Sequence, residues 1–342
     1  MLELPAIMLE SLIEQVRRGN DLTAEQMEQA LQRMLSGGAS DEVMGQLLLA
    51  MREKGESVSE LVGAAKAMRI AMTSIKTNRS NLLDTCGTGG DGSKTFNIST
   101  AAAIVAAAAG ATVAKHGNRK ITSATGSADV LMELGIRVDA PREVVERCLD
   151  EIGICFCFAP LLHPAMRHVA QVRRSLGVPT LFNYLGPLCN PAGAAFQVLG
   201  VGREDLHAKI AAAVAQLPIQ AALVVRGEDG MDEISLAGKT MAYLVRNGTI
   251  ETLSWTPSDF GLSMIDSATL HAETPQESAM MIRSILDGQH GAPRDMVLAN
   301  AGAGIWLGGL ETDLKLAVQR CARAVDSGAA KETLQKLASM SQ

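Results

Sequence analysis

Gly87-Thr88-Gly89-Gly90-Asp91 leads within a few residues to Asn97-Ile98-Ser99-Thr100 and then to an alanine-rich stretch, Ala101 to Ala109. Glycines let the backbone turn sharply and bring its N–H groups against a ligand, because no side chain intervenes. A helix starting near Asn97 adds orphan N–H donors and a positive dipole end, and Ser99 and Thr100 add hydroxyls. Together these make an anion cradle. The spacing is neither the dinucleotide fingerprint nor the Walker loop, which needs a Lys-Ser/Thr pair after its last glycine. Asp91 would repel a bare phosphate, so its presence fits a ligand that carries hydroxyls or a metal beside its phosphates, such as a sugar phosphate.

A second cluster, Lys115-His116-Gly117-Asn118-Arg119, follows the apolar run Thr112–Ala114 and is expected on a tight turn at a strand's carboxyl end. Cations on a turn with a glycine suit a further phosphate contact. The loop runs on through Lys120, Ile121, Thr122, Ser123 and Thr125 to Gly126-Ser127, and its hydroxyls before a helix describe a second anion seat. Asp232-Glu233, after Gly227-Glu228-Asp229-Gly230, forms an acidic knot behind the strand Ala221–Val225. Adjacent carboxylates suit Mg²⁺, which takes one or two from the protein and completes its shell with phosphate oxygens and water. The alternative for each cluster is a solvated turn, and their co-occurrence favours chemistry.

His163-Pro164-Ala165-Met166-Arg167-His168, then Arg173-Arg174, opens a further helix with spaced cations. His163 lacks a cysteine or carboxylate partner at metal spacing, so zinc is rejected. Arg173 has the planar fork that clamps a carboxylate. Leu185-Gly186-Pro187-Leu188-Cys189-Asn190-Pro191 is a rigid loop suited to a pocket wall. No Ser–His–Asp or Cys–His set and no H-E-x-x-H motif stands out, so no residue is assigned as nucleophile or general base. Phosphate seats with magnesium and no nucleophile point to a transfer reaction that proceeds by positioning and charge stabilisation.

The elements that must hold these groups divide the chain. Leu4, Ile7, Met8, Leu12 and Val16 form one apolar stripe ending at Gly19; Thr23-Ala24-Glu25-Gln26 and Ser57-Val58-Ser59-Glu60 are capping-box patterns, and Ser40 opens a helix between them. An all-α helical domain over residues 1–75 is expected, packed antiparallel through short loops. From Leu82, short β-branched runs (Ala111–Ala114, Ile154–Phe158, Gln197–Val201, Ala221–Val225) alternate with helices near 126–135, 141–151, 164–176 and 205–216. That alternation predicts a larger α/β domain over 76–342, with a mostly parallel central sheet flanked by helices. Residues 232–254 read as a hairpin excursion turning at Asn247-Gly248, and two or three Ala-rich helices close the chain.

Composition is that of a soluble globular protein, 47% hydrophobic and 20% charged over 342 residues. A net charge of −6 argues against nucleic-acid binding. The uncharged stretch from Phe96 to Ala114 is interrupted by Asn97, Ser99, Thr100 and Gly110, so it reads as soluble helix and strand and no membrane association is expected. The six cysteines show no Cys-x-x-Cys spacing, and no signal peptide is evident, so the cytoplasm is the expected location.

Gly87–Asp91, Asn97–Thr100, Lys115–Arg119, Gly126-Ser127-Ala128-Asp129-Val130-Leu131, His163–His168, Gly186-Pro187 with Asn190-Pro191, and Gly227–Gly230 resemble, in order, the motifs of the anthranilate phosphoribosyltransferase family of tryptophan biosynthesis. The resemblance spans nearly the whole chain and is weakest at the C-terminus. It implies transfer of the phosphoribosyl group of 5-phosphoribosyl 1-pyrophosphate to the amine of anthranilate, with Mg²⁺. It also implies a homodimer through the helical domain and a segment near 170–190 that returns to that domain.

By this resemblance Gly87, Gly90, Asp91, Thr95, Asn97, Ile98, Ser99 and Thr100 surround the ribosyl donor. Lys115, His116, Gly117, Asn118, Arg119, Lys120, Ile121, Thr122, Ser123 and Ser127 close over it. Ser99, Asp232 and Glu233 are similar to the family's magnesium ligands. Gly87, Asn118 and Arg173 look like its anthranilate contacts, and His163 and Pro187 line the aromatic acid's path. After Arg119 the family usually carries small residues and serines, whereas this chain has Lys120, Thr122, Ala124 and Thr125. A pyrimidine nucleoside phosphorylase of shared architecture is the enzymatic rival. A nucleic-acid-binding relative of the same fold is a second, and an acidic chain with intact motifs speaks against it.

Overall fold

A computed structural model describes residues 8–120 and 125–342. Leu4 and Ile7 of the first apolar stripe, and Ile121, Thr122, Ser123 and Ala124 of the second seat, lie outside the described residues. The chain opens with four helices, α1 (Leu9–Arg17), α2 (Ala24–Leu35), α3 (Asp41–Lys54) and α4 (Val58–Ala71). Both capping boxes form. Gln26 N–H donates to Thr23 Oγ1 at 3.1 Å while Thr23 N–H donates to Gln26 Oε1 at 2.9 Å. At α4 Glu60 answers Ser57 in the same way, and its other oxygen accepts the Leu22 N–H at 3.0 Å. Glu60 is fully buried, and Lys54 Nζ at 3.0 Å supplies its countercharge. One carboxylate therefore caps α4, ties it to the α1–α2 connection and pairs a lysine, which justifies its burial.

Seven strands follow, with helices between them. In chain order they are β1 (Leu82–Gly87), α5 (Ile98–Ala108), β2 (Thr112–Gly117), α6 (Ser127–Glu133), α7 (Arg142–Ile152), β3 (Ile154–Phe158), α8 (Ala159–Leu162), α9 (Arg167–Leu176) and α10 (Phe182–Leu185). Next come β4 (Phe196–Gly200), α11 (Glu204–Val214), β5 (Ala221–Gly227), β6 (Thr240–Arg246) and β7 (Thr249–Trp255). The helices α12 (Pro275–Leu286), α13 (Ala292–Leu307), α14 (Leu314–Asp326) and α15 (Ala329–Met340) complete the chain. The sheet order is β3-β2-β1-β4-β5-β6-β7, parallel from β3 to β5 and antiparallel beyond. The β6–β7 hairpin turns at Asn247 and Gly248, both at positive φ, as a tight hairpin turn requires.

Period-two alternation sends the side chains of β5 to two separate cores. Leu223 and Val225 of β5 join the core covered by α5, α6, α7 and the C-terminal helices. Ala222 and Val224 join the other, which also contains α1–α4, α11 and Val169 and Val172 of α9. α9 packs against α2 and α3, more than a hundred residues back along the chain. Arg69 Nε on α4 donates to Leu188 O at 2.7 Å, so the segment after α10 is tied to the same helices.

Three Ala-rich helices, α13 to α15, close the chain as expected, and α12, which carries few alanines and is marked by its Thr274 cap and apolar spacing, precedes them. One sequence expectation needs adjusting. Lys115, His116 and Gly117 are the last residues of β2, not a turn beyond it. Lys115 and His116 are buried, because pairing with β3 continues through Gly117↔Phe158.

Candidate active site

The site forms at the carboxyl ends of β1, β2, β4 and β5, where the chain switches from the β1-β2-β3 side of the sheet to the β4-β5 side. β1 pairs with β2 only at Leu82↔Thr112 and Leu83↔Val113, and then the strands part. Asp84 fills the opening. Its Oδ1 accepts the His116 N–H at 3.1 Å and its Oδ2 accepts Asn190 Nδ2 at 2.8 Å. Asn190 also donates to Ala114 O at 2.8 Å and accepts the Ala192 N–H at 2.9 Å. Burial pushes the Asp84 carboxyl up, and the nearby Lys115 ammonium pulls against that shift. Asp84 and Asn190 thus brace the strand ends that carry the candidate ligand groups.

The acidic knot approaches β1 and β4 so closely that only glycine fits there. A Cβ on Gly87 would lie 2.4 Å from Asp232 Oδ2, and one on Gly200 would lie 1.6 Å from the Asp232 carbonyl oxygen. Asp232 Oδ2 accepts the Gly89 N–H at 2.8 Å, and Glu233 Oε1 accepts the Ser99 N–H at 3.0 Å. Each carboxylate therefore reaches one arm of the anion cradle. Asp91 closes its own turn by accepting the Ser93 N–H at 3.2 Å, and its second oxygen accepts the Asp232 N–H at 3.4 Å. Burial raises the Asp232 carboxyl well above its ordinary range, and the charges of Asp91 and Glu233 raise it further. Burial likewise lifts Glu233, to about 8, against the opposing pull of Lys115.

Lys115 Nζ donates to Thr85 O at 2.6 Å and lies 3.3 Å from Ser99 Oγ. Burial lowers its pKa while Asp84 opposes the shift. Thr85 Oγ1 in turn donates to Ser99 O at 2.8 Å. Gly87, Gly90, Asp91, Ser99, Lys115, Asp232 and Glu233 are therefore brought together. Thr95 lies farther along the loop, bridged to His271, with Ser93 Oγ at 3.3 Å. Asn97 is only partly buried and begins α5. Ile98 and Thr100 face the core, and their N–H groups already bond to Phe96 O and Asn97 O.

The second seat closes on itself. Asp129 Oδ2 accepts the Lys120 N–H at 2.9 Å and the Gly126 N–H at 3.2 Å, stapling the two ends of the loop. A Cβ on Gly126 would meet Lys120 N at 2.2 Å, so the crossing demands glycine. Asn118 O accepts the Ala128 N–H at 3.1 Å, and Ser127 Oγ is 3.4 Å from the same oxygen. Arg119 and Lys120 are exposed, with Arg119 over the Phe158 ring at 5.8 Å. Gly117 packs against Ser127 and Phe156.

His116 also links this seat to the residues read as the aromatic acid's path. His116 Nδ1 is 3.0 Å from Gly186 O and its Nε2 is 3.2 Å from His163 Nε2. A carbonyl only accepts, so His116 carries its proton on Nδ1, and His163 donates from Nε2. Burial lowers His116 to about 4, and burial with the His116 neighbour lowers His163 to about 3, so both rings are neutral at pH 7. Pro187 is buried, and its carbonyl accepts Gln197 Nε2 at 2.8 Å. Arg173 is partly buried over the Phe182 ring at 5.3 Å and makes no hydrogen bond or ion pair with a described residue, whereas Arg174 is exposed.

Sequence reasoning does not single out Asp84, Asn190, Gln197, Asp129 or Ser278 as site residues, and it names Thr125 only as a hydroxyl of the second anion seat. Asn190 had a local signal in its Asn-Pro loop, and Asp129 follows the Gly-Ser of a helix start. Ser278 had none.

A helical bundle beside an α/β domain with anion seats at its strand ends defines a class of group-transfer enzyme. The chain matches the glycosyl transferase family, helical bundle domain, over residues 10–72 and the glycosyl transferase family, a/b domain, over residues 79–331. It is 54% identical to anthranilate phosphoribosyltransferase of Rhodopirellula baltica over 98% of both chains, and 47% identical to that of Pelotomaculum thermopropionicum over 96% of both. It superposes on anthranilate phosphoribosyltransferase of Thermus thermophilus with a TM-score of 0.89 at 40% identity, covering 96% of this chain and 98% of that one. The Saccharomyces cerevisiae enzyme in complex with PRPP and Mg gives a TM-score of 0.89 at 27% identity, covering 97% of each. The chain belongs to the anthranilate phosphoribosyltransferase family.

Proposed function

We infer that the chain transfers the phosphoribosyl group of 5-phosphoribosyl 1-pyrophosphate to the amine of anthranilate, giving N-(5-phosphoribosyl)anthranilate and pyrophosphate. The observation that carries this reading is the meeting of glycine loop, Lys115 and acidic pair around Ser99: Lys115 Nζ is 3.3 Å from Ser99 Oγ, and Glu233 Oε1 is 3.0 Å from its backbone nitrogen. The N–C1 bond forms as the C1–O bond to pyrophosphate breaks, and the nitrogen then gives its proton to water. The backbone N–H groups of Gly90 and Asp91 and the Ser99 hydroxyl bind the donor's phosphates, and the basic residues from Lys115 to Lys120, with Ser127, cover them. Arg173 orients the acceptor through its carboxylate, with Gly87 and Asn118 beside it and His163 and Pro187 along the path. The neutral His163 and His116 rings add no positive charge along that path, leaving the carboxylate to Arg173.

The donor set also fits a hard cation. Among the described residues no group of three or more His, Cys, Asp or Glu stands at metal-holding geometry. Magnesium needs only one or two carboxylates beside phosphate and water. Burial raises the pKa of both Asp232 and Glu233, and the Asp91 charge adds to it, so a divalent cation would favour their ionised forms. Ser99, Asp232 and Glu233 would hold Mg²⁺, which when bound neutralises the departing pyrophosphate.

The reading extends to a helical domain over 1–75 with a returning segment near 170–190, an α/β domain over 76–342, a homodimer through the helical part, and the cytoplasm as the place of work. Exposed Met8 and Ile70 on the helical part suit a contact between copies. No helix among the described residues is long and apolar enough to cross a membrane. The test is to incubate the protein with anthranilate, 5-phosphoribosyl 1-pyrophosphate and Mg²⁺ and follow the loss of anthranilate fluorescence. Turnover that needs both donor and magnesium supports the reading. Phosphorolysis of a pyrimidine nucleoside with inorganic phosphate instead would overturn it.

A further inference from the structure

Asn97 begins α5 but does not cap it: its side chain bonds to no α5 backbone N–H, although asparagine at that position ordinarily does so. The carboxamide is turned toward two hydroxyls from distant parts of the chain. Thr125 Oγ1, just before α6, donates to Asn97 Oδ1 at 2.6 Å, and Ser278 Oγ, on α12, donates to the same oxygen at 2.9 Å. Ser278 is fully buried and Thr125 nearly so. The Asn97 backbone N–H donates to Ser278 Oγ at 2.9 Å. That contact occupies a lone pair of the serine and commits its proton to Asn97 Oδ1. A flipped amide would set two N–H donors against the two hydroxyls and leave the buried Ser278 proton without this acceptor, so the orientation is fixed. Asn97 Nδ2 makes no hydrogen bond to a described residue, and it belongs to a partly exposed residue at the head of the helix that begins with Ser99 in its first turn.

We propose that Ser278 and Thr125 are positioning residues for the ribosyl donor: they lock the Asn97 carboxamide with its oxygen inward, so that Nδ2 is presented to the donor's phosphates. The proposal rests on the placement of the donor at the Gly87–Thr100 seat. It gives α12, which supplies no other residue to the site, a defined part in binding. A hydroxyl clamp of this kind holds a neutral donor in place without adding charge beside Asp91, Asp232 and Glu233. An amide free to rotate would spend part of its time offering oxygen to a phosphate, and donor binding would weaken in proportion.

The test is steady-state kinetics with each substrate varied, with donor binding measured by calorimetry in Mg²⁺. Ser278→Ala should raise KM and Kd for 5-phosphoribosyl 1-pyrophosphate roughly tenfold, the worth of one well-placed hydrogen bond. KM for anthranilate should stay put, and kcat at saturating donor should fall by no more than about twofold. Thr125→Val, which keeps the shape and removes the hydroxyl, should act in the same direction, and Thr125→Ser should restore the donor KM. In an Asn97→Ala background, Ser278→Ala should add nothing further. A rise in donor KM for Asn97→Ala but not for Thr125→Val or Ser278→Ala would overturn the clamp while leaving the donor seat standing. An unchanged donor KM in Asn97→Ala would overturn both the clamp and the place of Asn97 at the donor. A wild-type protein that consumes no anthranilate would strike at the function itself. Parallel losses of kcat and melting temperature with every KM unchanged would make these hydroxyls merely structural, and the proposal would fall.

Discussion

The donor seat and the acceptor wall meet at His116, yet they are built in opposite ways. The donor seat is made of strand ends and loop backbone, and many of its polar groups are bonded to one another (Asp232 to Gly89, Glu233 to Ser99, Lys115 to Thr85, Asp129 to both ends of its loop), with Thr100 Oγ1 left buried without a hydrogen bond among the described residues. The acceptor wall is assembled from the 163–197 segments and leaves polar atoms over. His163 Nδ1, Thr180 Oγ1 and Gln197 Oε1 are buried without a completed hydrogen bond among the described residues, and Arg173, over the Phe182 ring, carries a half-buried charge with no hydrogen bond or ion pair to a described residue. Burial lowers the Arg173 pKa, so the guanidinium waits in a place where an anion would stabilise it. On the proposed reading, the donor side gathers buried carboxyls that suit a cation, and the acceptor side holds a guanidinium that suits a carboxylate. On that reading, charge capture falls to the donor side and orientation to the acceptor side.

The sharpest way to break that comparison is at the acidic pair. Both carboxyls accept a backbone N–H, so Asp232→Asn with Glu233→Gln keeps an acceptor for Gly89 and Ser99 while removing the charge. kcat/KM should fall by about 3 kcal/mol or more, over a hundredfold, the scale of losing a metal-held leaving group. The folded-state pKa values of both groups are raised, so their ionised forms weigh against folding at pH 7. The melting temperature of the metal-free variant should therefore rise, not fall. Activity lost together with melting temperature would mean that the pair is structural.

Arg173→Ala probes the other side with a smaller expected effect. A charge-assisted bond to the anthranilate carboxylate is worth about 1.5–3 kcal/mol, so kcat/KM for anthranilate should drop roughly ten- to 150-fold with donor affinity unchanged. Arg174 points about 100° away on the helix and is exposed, and Arg174→Ala should do much less. If the two substitutions exchanged effects, or if Arg173→Ala weakened only the donor, the clamp would be misplaced.

The same contrast governs what the sequence disclosed. The glycine loop, the capping boxes and the Asn247-Gly248 turn act through neighbours a few residues away, so type and spacing sufficed to read them. Asp232 and Glu233 could be named from their position behind a strand, but not the Gly87 and Gly200 gaps that let them reach the loop. Lys115 and His116 were read as turn residues because their charge hid a strand whose partners begin at Ile154. Asn190 acts on Ala114 and Asp84, and Ser278 on Asn97, across 76 to 181 residues of chain. No local pattern encodes such partners, because only the fold decides which distant groups meet.

The smallest expected effect tests whether the two sides are mechanically separate. Gln197 is fully buried on β4, with Nε2 donating to Pro187 O at 2.8 Å and Oε1 without a partner among the described residues. Gln197→Leu removes one bond and one unsatisfied oxygen together, so the cost to folding should nearly cancel. The Pro187 carbonyl, however, loses its anchor to the sheet. The 186–191 loop is still held by Asn190 to Asp84 and by His116 to Gly186, so it should shift without detaching. An orientation loss of about 1 kcal/mol would raise KM for anthranilate roughly fivefold. KM for the ribosyl donor should not move, because no donor-seat contact passes through Gln197. Equal shifts in both KM values would show that the seat and the wall respond as one rigid body, and the division drawn between them would have to be abandoned.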